Sequence, residues 1–348
     1  MSEPTEQEQT TVDSGADEDA PRTRTRWAEM LTDSTAFIFL ALLAMFLAFT
    51  ILEPAAFASI NNLRNVAIAA SILLVLSIGQ TFVITTAGID ISVGSILVFS
   101  GVVASLVMAE VNGGEGWSAV LAGTVAALLA GGFWGLVNGL LITKVKLPPL
   151  IVTLGTFGSV LGFAKVLTGG INLRTVPNVL VETLGIGRLF GLIPWLVILA
   201  LVVAVISGIV MRFTRFGRYT IAIGSSEEAA RRVGINVDRH LLKVYLVSGV
   251  LSGIGGIMSL SRFTNTTIQG HDTDNLQSIA AVVIGGTSLF GGIATMFGTL
   301  VGVFIPTTLQ NGFVILRIQP FWQEVAVGAV LIVAVYVDQL KRRARDRL

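Results

Sequence analysis

Apolar runs, each long enough to cross the roughly 30 Å hydrocarbon core of a bilayer, recur from Phe37 to Val337 with polar breaks between them. A backbone in hydrocarbon must satisfy its own hydrogen bonds, and a helix does so within one segment. Composition agrees: 13% of the residues are charged and 53% hydrophobic, against about 25% charged in soluble domains. The mean hydropathy is +0.80. The fold class expected is therefore all-α, a polytopic transmembrane helix bundle in a cell membrane.

Breaks at proline, glycine and charge clusters place about ten spans, at 35–52, 64–85, 91–110, 118–142, 149–168, 193–211, 241–261, 276–289, 293–313 and 321–338. Gly285, Gly286, Gly291 and Gly292 interrupt the eighth and ninth, so two half-length or re-entrant segments are the alternative there. The chain divides into a disordered acidic and then basic tail at 1–33, a transmembrane domain at 34–340 with a polar loop at 212–240, and a basic tail at 341–348. The first apolar run is about as long as a true span and reads as retained rather than cleaved.

Orientation follows from where lysine and arginine collect. Arg22, Arg24 and Arg26, Lys144 and Lys146, the 212–240 loop and the C-terminus from Lys341 onward fall on one side when the span count is even. The loops at 111–117, 169–192 and 262–275 hold few positive charges. Both termini are expected in the cytoplasm.

Several chemistries are excluded. The net charge is +1 with no long basic stretch, which gives no reason to propose nucleic acid as a partner. The chain has no cysteine, and its two histidines, His240 and His271, form no metal motif. No Gly-Lys-Ser or Gly-Lys-Thr occurs, so IGGTSLFGG from Ile284 to Gly292 is not a phosphate loop. It reads as a broken or tightly packed hairpin, with Thr287 and Ser288 satisfying carbonyls freed by the break, or as part of a gate. No catalytic residue, metal or cofactor is assigned to this chain.

Between Arg218 and His240 the chain is too polar to span and much longer than a turn. Ser225 and Glu228 fit a capping box, Glu227 and Glu228 suit a helix N-terminus, Arg231 and Arg232 its last turn, and Gly234 a left-handed close. This predicts a two-turn helix whose Ala229 and Ala230 offer a thin side to a partner. The alternative is a solvated connector lying on lipid headgroups.

Asp90 in TAGIDISVGS reads as the N-cap of the third span, accepting from the amide of Ser92 or Val93, with Gly88 and Gly94 allowing close geometry. A gate or ion pair is its functional alternative. Gln80, Thr81, Asn138, Thr153, Thr156, Gln310 and Asn311 are uncharged polar residues within spans and candidates for lining a polar path, as are Phe157 and Phe313 for stacking on a ring; helix-to-helix hydrogen bonding is the competing role. Gly131, Gly135 and Gly139, Gly158 with Gly162, Gly249 with Gly253, and Gly298 with Gly302 recur every four residues and read as close-packing faces.

Four segments together resemble a known family: TTAGIDISVGS from Thr85 to Ser95, RFGRYTIAIGSSEEAARRVGI from Arg215 to Ile235, IAAVVIGGTSLFGG from Ile279 to Gly292, and GTLVGV from Gly298 to Val303. Their wording, order and spacing are similar to the permeases of ATP-binding-cassette importers of the ribose, xylose and galactose type, from about Phe57 to the C-terminus. The resemblance implies a membrane path for a monosaccharide, formed by two permease copies or one with a homologue. It implies a solute-binding protein outside, contacted through the loops at 169–192 and 262–275 with Arg174, Arg188, Asp272 and Asp274 as candidate charges. It also implies a tandem-domain ATPase below that carries ATP and Mg. Ser225, Ser226, Glu227, Glu228, Ala229, Ala230, Arg231 and Gly234 would then dock the ATPase. Asp90, Ser92, Gly94, Gly285, Gly286, Thr287, Gly291 and Gly292 are the candidate gate or structural motif. Members of the family often carry Gly and Asn where this chain has Ser225 and Ser226. A branched-chain amino acid permease is the second reading, and an ion-coupled secondary transporter, which would carry paired charges deep in its spans, the third.

Overall fold

The computed structural model describes residues 34–319 and 321–345. The expected tail at 1–33 and the last three residues lie outside the described residues. Among the described residues the helices of six residues or more are α1 (Ser34–Leu52), α2 (Ile60–Thr85), α3 (Val93–Glu110), α4 (Gly116–Thr143), α5 (Pro149–Thr168), α6 (Trp195–Phe213), α7 (Arg215–Ser225), α8 (Glu227–Arg232), α9 (Val237–Phe263), α10 (Asp274–Ile284), α11 (Met296–Gly302), α12 (Phe304–Ile315) and α13 (Phe321–Arg345). A two-residue antiparallel pair, Arg188–Leu189 with Ile193–Pro194, lies in the loop before α6.

Seven helices among the described residues are long and apolar enough to cross a membrane: α2, α3, α4, α5, α6, α9, and α11 with α12 as one unit. Ile38–Leu52 of α1, all of α10 and Phe321–Val333 of α13 are shorter apolar pieces. The protein is an integral membrane protein built as a helical bundle.

Helices α2, α3 and α9 form the centre. Leu73, Leu76, Phe82 and Val83 of α2, Leu97 and Val102 of α3, and Val244, Tyr245 and Met258 of α9 are buried in one cluster. Helices α5 and α6 expose most of their apolar surface, as a lipid-facing layer would. The seam between α4 and α9 is set by glycine. A Cβ on Gly131 would collide with the Gly249 carbonyl, and one on Gly135 with the Tyr245 carbonyl. Such contact lets two backbones pack without intervening side chains.

The eighth expected span is corrected to the half-length alternative that its glycines allowed, while the ninth stands as one apolar unit from Met296 to Ile315 with a break inside it. The eighth stops at Ile284 after 11 residues, because Gly285 and Gly286 turn the chain away, Gly286 at φ +91°. It is a half-length helix that follows the non-helical segment 264–273. A Cβ on Gly94, near the start of α3, would stand 2.9 Å from the His271 carbonyl of that segment, so α3 packs closely against it. The ninth starts at Met296 and is interrupted at Val303. Pro306 has no amide to give to the Gly302 carbonyl, which accounts for the interruption.

Candidate functional site at the capped helix α8 and the glycine junction

The polar 212–240 loop folds as α7, a one-residue joint and α8. Thr214 opens α7 by accepting from the Gly217 amide. Thr220 of α7 bonds His240 of α9 at 2.8 Å, and Phe216 lies 4.8 Å from the same imidazole. Ile223, Ala230 and Val237 form a small apolar cluster with Ile235 and Leu241 against it. The charged segment is thus pinned to the base of α9.

The cap is at Ser226, not Ser225. Ser226 Oγ accepts from the Ala229 amide at 3.2 Å, whereas Ser225 ends α7 and its hydroxyl donates to the Ile221 carbonyl at 2.9 Å. Moving the cap by one residue puts Ala229 at the third helical position, so Glu228 does not complete a capping box. Glu228 instead pairs with Arg232 at 2.5 Å. Arg231 reaches Glu227 at 2.8 Å and Asp238 at 2.6 Å, and those carboxylates, Asp238 first, hold its guanidinium above the ordinary arginine range. Asp238 also takes Lys146 at 2.8 Å, tying the α4–α5 loop to this segment.

Gly234 closes α8 at φ +84° as expected. Its amide bonds the Arg231 carbonyl and the Ile235 amide bonds that of Ala230, the paired pattern of a Schellman close. Ala230 is buried beneath the helix, which corrects the reading of both alanines as one thin outer side. The exposed face is Glu227, Glu228, Ala229, Arg231 and Arg232, extended by Val233 at 77% exposure. Sequence reasoning passed over Val233; an apolar residue between an arginine pair and a closing glycine was the available signal.

Three of the sequence signatures meet directly behind α8. The Gly292 amide donates to the Thr85 carbonyl at 2.9 Å. A Cβ on Gly224 would strike that same Thr85 oxygen, and one on Gly292 would come within 2.6 Å of Ser225 Oγ. Gly291 faces the Gly224 carbonyl and Ala87 at a comparable distance. The end of α2, the end of α7 and the glycine hairpin therefore touch backbone to backbone. Within the hairpin, Thr295 Oγ1, rather than Thr287, donates to the Gly285 carbonyl at 2.7 Å. Thr287 accepts from the Thr295 amide at 3.2 Å.

Asp90 is fully buried one turn further in. Its Oδ1 accepts from the Ser92 amide at 2.9 Å and the Ser92 hydroxyl at 2.5 Å, and its Oδ2 from Ser248 of α9 at 3.1 Å. The residue that precedes α3 is Ser92 itself, so Asp90 acts two residues upstream as an Asx turn. Among the described residues it has no cationic partner within salt-bridge distance, and hydroxyls stand where the alternative reading would put an ion pair.

Two of the candidate path residues belong to this cluster. Asn138 donates to Ser92 Oγ at 2.8 Å, and Gln80 donates to the Asp90 carbonyl. Thr81 pairs with Thr299 of α11 at 2.9 Å, and Thr153 of α5 donates to the Ile89 carbonyl at 3.1 Å. Thr156 bonds back to its own helix, and Phe157 beside it is half-buried. Asn311 lies at the opposite end of the bundle, where it exchanges two hydrogen bonds with Asn62.

The family described as branched-chain amino acid transport system / permease component matches residues 62–335, which include α8, the junction and the Asp90 turn. The chain belongs to this permease family. Among curated relatives, the ribose import permease protein of Escherichia coli (strain K12) is 36% identical, over 87% of this chain and 93% of its own. The D-allose transport system permease protein of the same strain is 34% identical, over 88% and 91%. The L-arabinose ABC transporter permease protein of Azospirillum brasilense is 32% identical, over 92% and 91%. No solved structure matches the chain.

Proposed function

We propose that the protein is the membrane subunit of an ATP-binding-cassette importer and forms the path for a monosaccharide. The observation that carries this reading is the capped, outward-facing α8, seated on a glycine junction in a permease whose curated relatives are named for ribose, allose and arabinose. Those relatives favour a sugar over the branched-chain amino acid in the family's description. The α8 face would dock a tandem-domain ATPase that holds ATP and Mg, so hydrolysis would occur on that separate subunit.

In this reading the bundle crosses the membrane with both termini in the cytoplasm, on the side where α8, Lys144 and Lys146 lie. Of the ten segments, α10 enters only part of the way. A second permease copy completes the path, with Thr156 and Phe157 of α5 as candidate lining, and a solute-binding protein docks on the loops at 169–192 and 262–275. Asp274 is a poorer docking charge than Asp272, because His271 engages it at 2.7 Å. The Asp90 cluster and the glycine junction would act as the rigid link that carries movement of α8 into α2 and α3.

Replacing Glu228 with Arg tests the docking role. It puts a cation beside Arg232 on an exposed face without touching the core. The expected result is loss of ATPase co-purification and of sugar uptake with the permease still at wild-type levels. Unchanged complex formation and uptake would remove the docking reading.

A further inference from the structure

At the end of the bundle opposite α8, a cavity of about 280 Å³ opens between the start of α2, the end of α9, the 264–273 segment, α10 and the end of α12. Its size is near the lower end of the range of about 300–1,000 Å³ usual for small-molecule sites. Its wall mixes apolar and polar side chains. Asn65, Arg262, Asp274, Gln277, Gln310 and Asn311 all face it.

Hydrogen bonds within the wall fix some of these groups and leave others free. Thr273 Oγ1 accepts from Gln277 Nε2 at 3.0 Å, which leaves the Gln277 carbonyl oxygen to the cavity. His271 Nδ1 takes Asp274 Oδ2 at 2.7 Å while Nε2 of the same ring bonds Ser259 at 2.7 Å. That three-residue chain clamps one carboxylate oxygen and leaves the other. Arg262 lies over the Phe263 ring at 4.8 Å and forms no ion pair among the described residues.

We infer that this cavity is a binding subsite for a monosaccharide within each permease chain, in which the planar carboxylate, guanidinium and amide groups bond adjacent ring hydroxyls. The chemistry matches a polyol. Donors and acceptors are mixed, the charges of Arg262 and Asp274 offset each other, and Phe263 supplies an aromatic face at the edge. The single clamped oxygen of Asp274 preorganises the acceptor, which reduces the ordering cost of weak binding. The inference rests on the sugar-importer reading.

The absence of cysteine from the sequence makes the test direct. Gln310 and Asn65 are exposed at the cavity, and Glu115 is exposed outside it and outside the proposed docking loops. Gln310→Cys, Asn65→Cys and Glu115→Cys would each be made in cells carrying the whole importer and labelled with a membrane-impermeant thiol reagent. Ribose, allose and arabinose would be added in turn, with uptake of each measured in the same cells. For a transported sugar at tenfold excess over its Kd, labelling at Gln310→Cys or Asn65→Cys should slow about 10-fold, as 1 + [L]/Kd requires, with Glu115→Cys unchanged. Uptake of a sugar that protects neither cavity position, or no labelling at either, would overturn the subsite and leave the importer reading standing. Absence of uptake for every monosaccharide would overturn both.

Discussion

Gly131, Gly135 and Gly139 on α4 and Gly155, Gly158 and Gly162 on α5 repeat at nearly the same spacing, yet their surroundings differ completely. The α4 set lies backbone to backbone against Gly249, Gly253, Tyr245 and Leu242 of α9, while nothing among the described residues comes within 4 Å of a Cβ built on the α5 set. Small residues license close approach but do not select a partner. The α5 face looks outward with Ile151, Leu154 and Val166 exposed beside it, so the same signature is a seam in one place and an open surface in the other.

The widest separation between the two faces should come from paired substitutions. Gly135→Leu forces a side chain into the Tyr245 backbone and should cost more than about 3 kcal/mol, the upper range for overpacking. Gly158→Leu should stay within about 0.5 kcal/mol for the isolated chain. Thermal midpoints of the two detergent-solubilised variants read the difference directly, and similar losses would erase the distinction.

The glycine junction behaves like the seam and not like α5. Gly292→Ala meets both Ser225 and a left-handed backbone at φ +77°. A cost of about 1–2 kcal/mol is expected from the conformation alone, with uptake falling further than ATPase co-purification, because the α8 face is untouched. Equal loss of both would place the junction in docking rather than in transmission. A smaller effect is expected at the cap: Ser226→Ala should cost about 1 kcal/mol, seen as faster amide exchange confined to residues 227–233. Smallest is Arg232→Ala, whose pair with Glu228 is about three-quarters exposed on both sides. Such a pair is worth about 0.5 kcal/mol or less, so a thermal midpoint within error of wild type is expected.

Much of this architecture was legible in the sequence, for identifiable reasons. Span length and apolar continuity marked α2 to α6 and α9, because hydrocarbon thickness imposes a length that composition records. Gly234 announced the end of α8, since a left-handed residue is needed there. The cap was misplaced by one residue because Ser225 and Ser226 are chemically equivalent at that position, and only the length of α7 decides between them. Ala230 could not be told from Ala229 without knowing that Ile223 and Val237 lie beneath α8. The convergence of Thr85, Gly224 and Gly292 was hidden for a different reason. Each sits in a segment whose resemblance was visible, but backbone contacts between segments some 70 to 210 residues apart leave no local pattern. Asp90 drew attention as an acid near the membrane; Ser92 and Ser248 as its partners carry no charge to search for.

The most direct test of the account is thiol crosslinking from the tip of α8. Val233→Cys and Phe190→Cys would each be the sole cysteine of the chain, at exposed positions on opposite ends of the bundle. In membranes holding the whole importer, a short crosslinker at Val233→Cys should yield a product containing the ATPase, and Phe190→Cys should yield none. An ATPase product at Phe190→Cys, or at neither position while uptake proceeds normally, would contradict the claim that α8 is the coupling element.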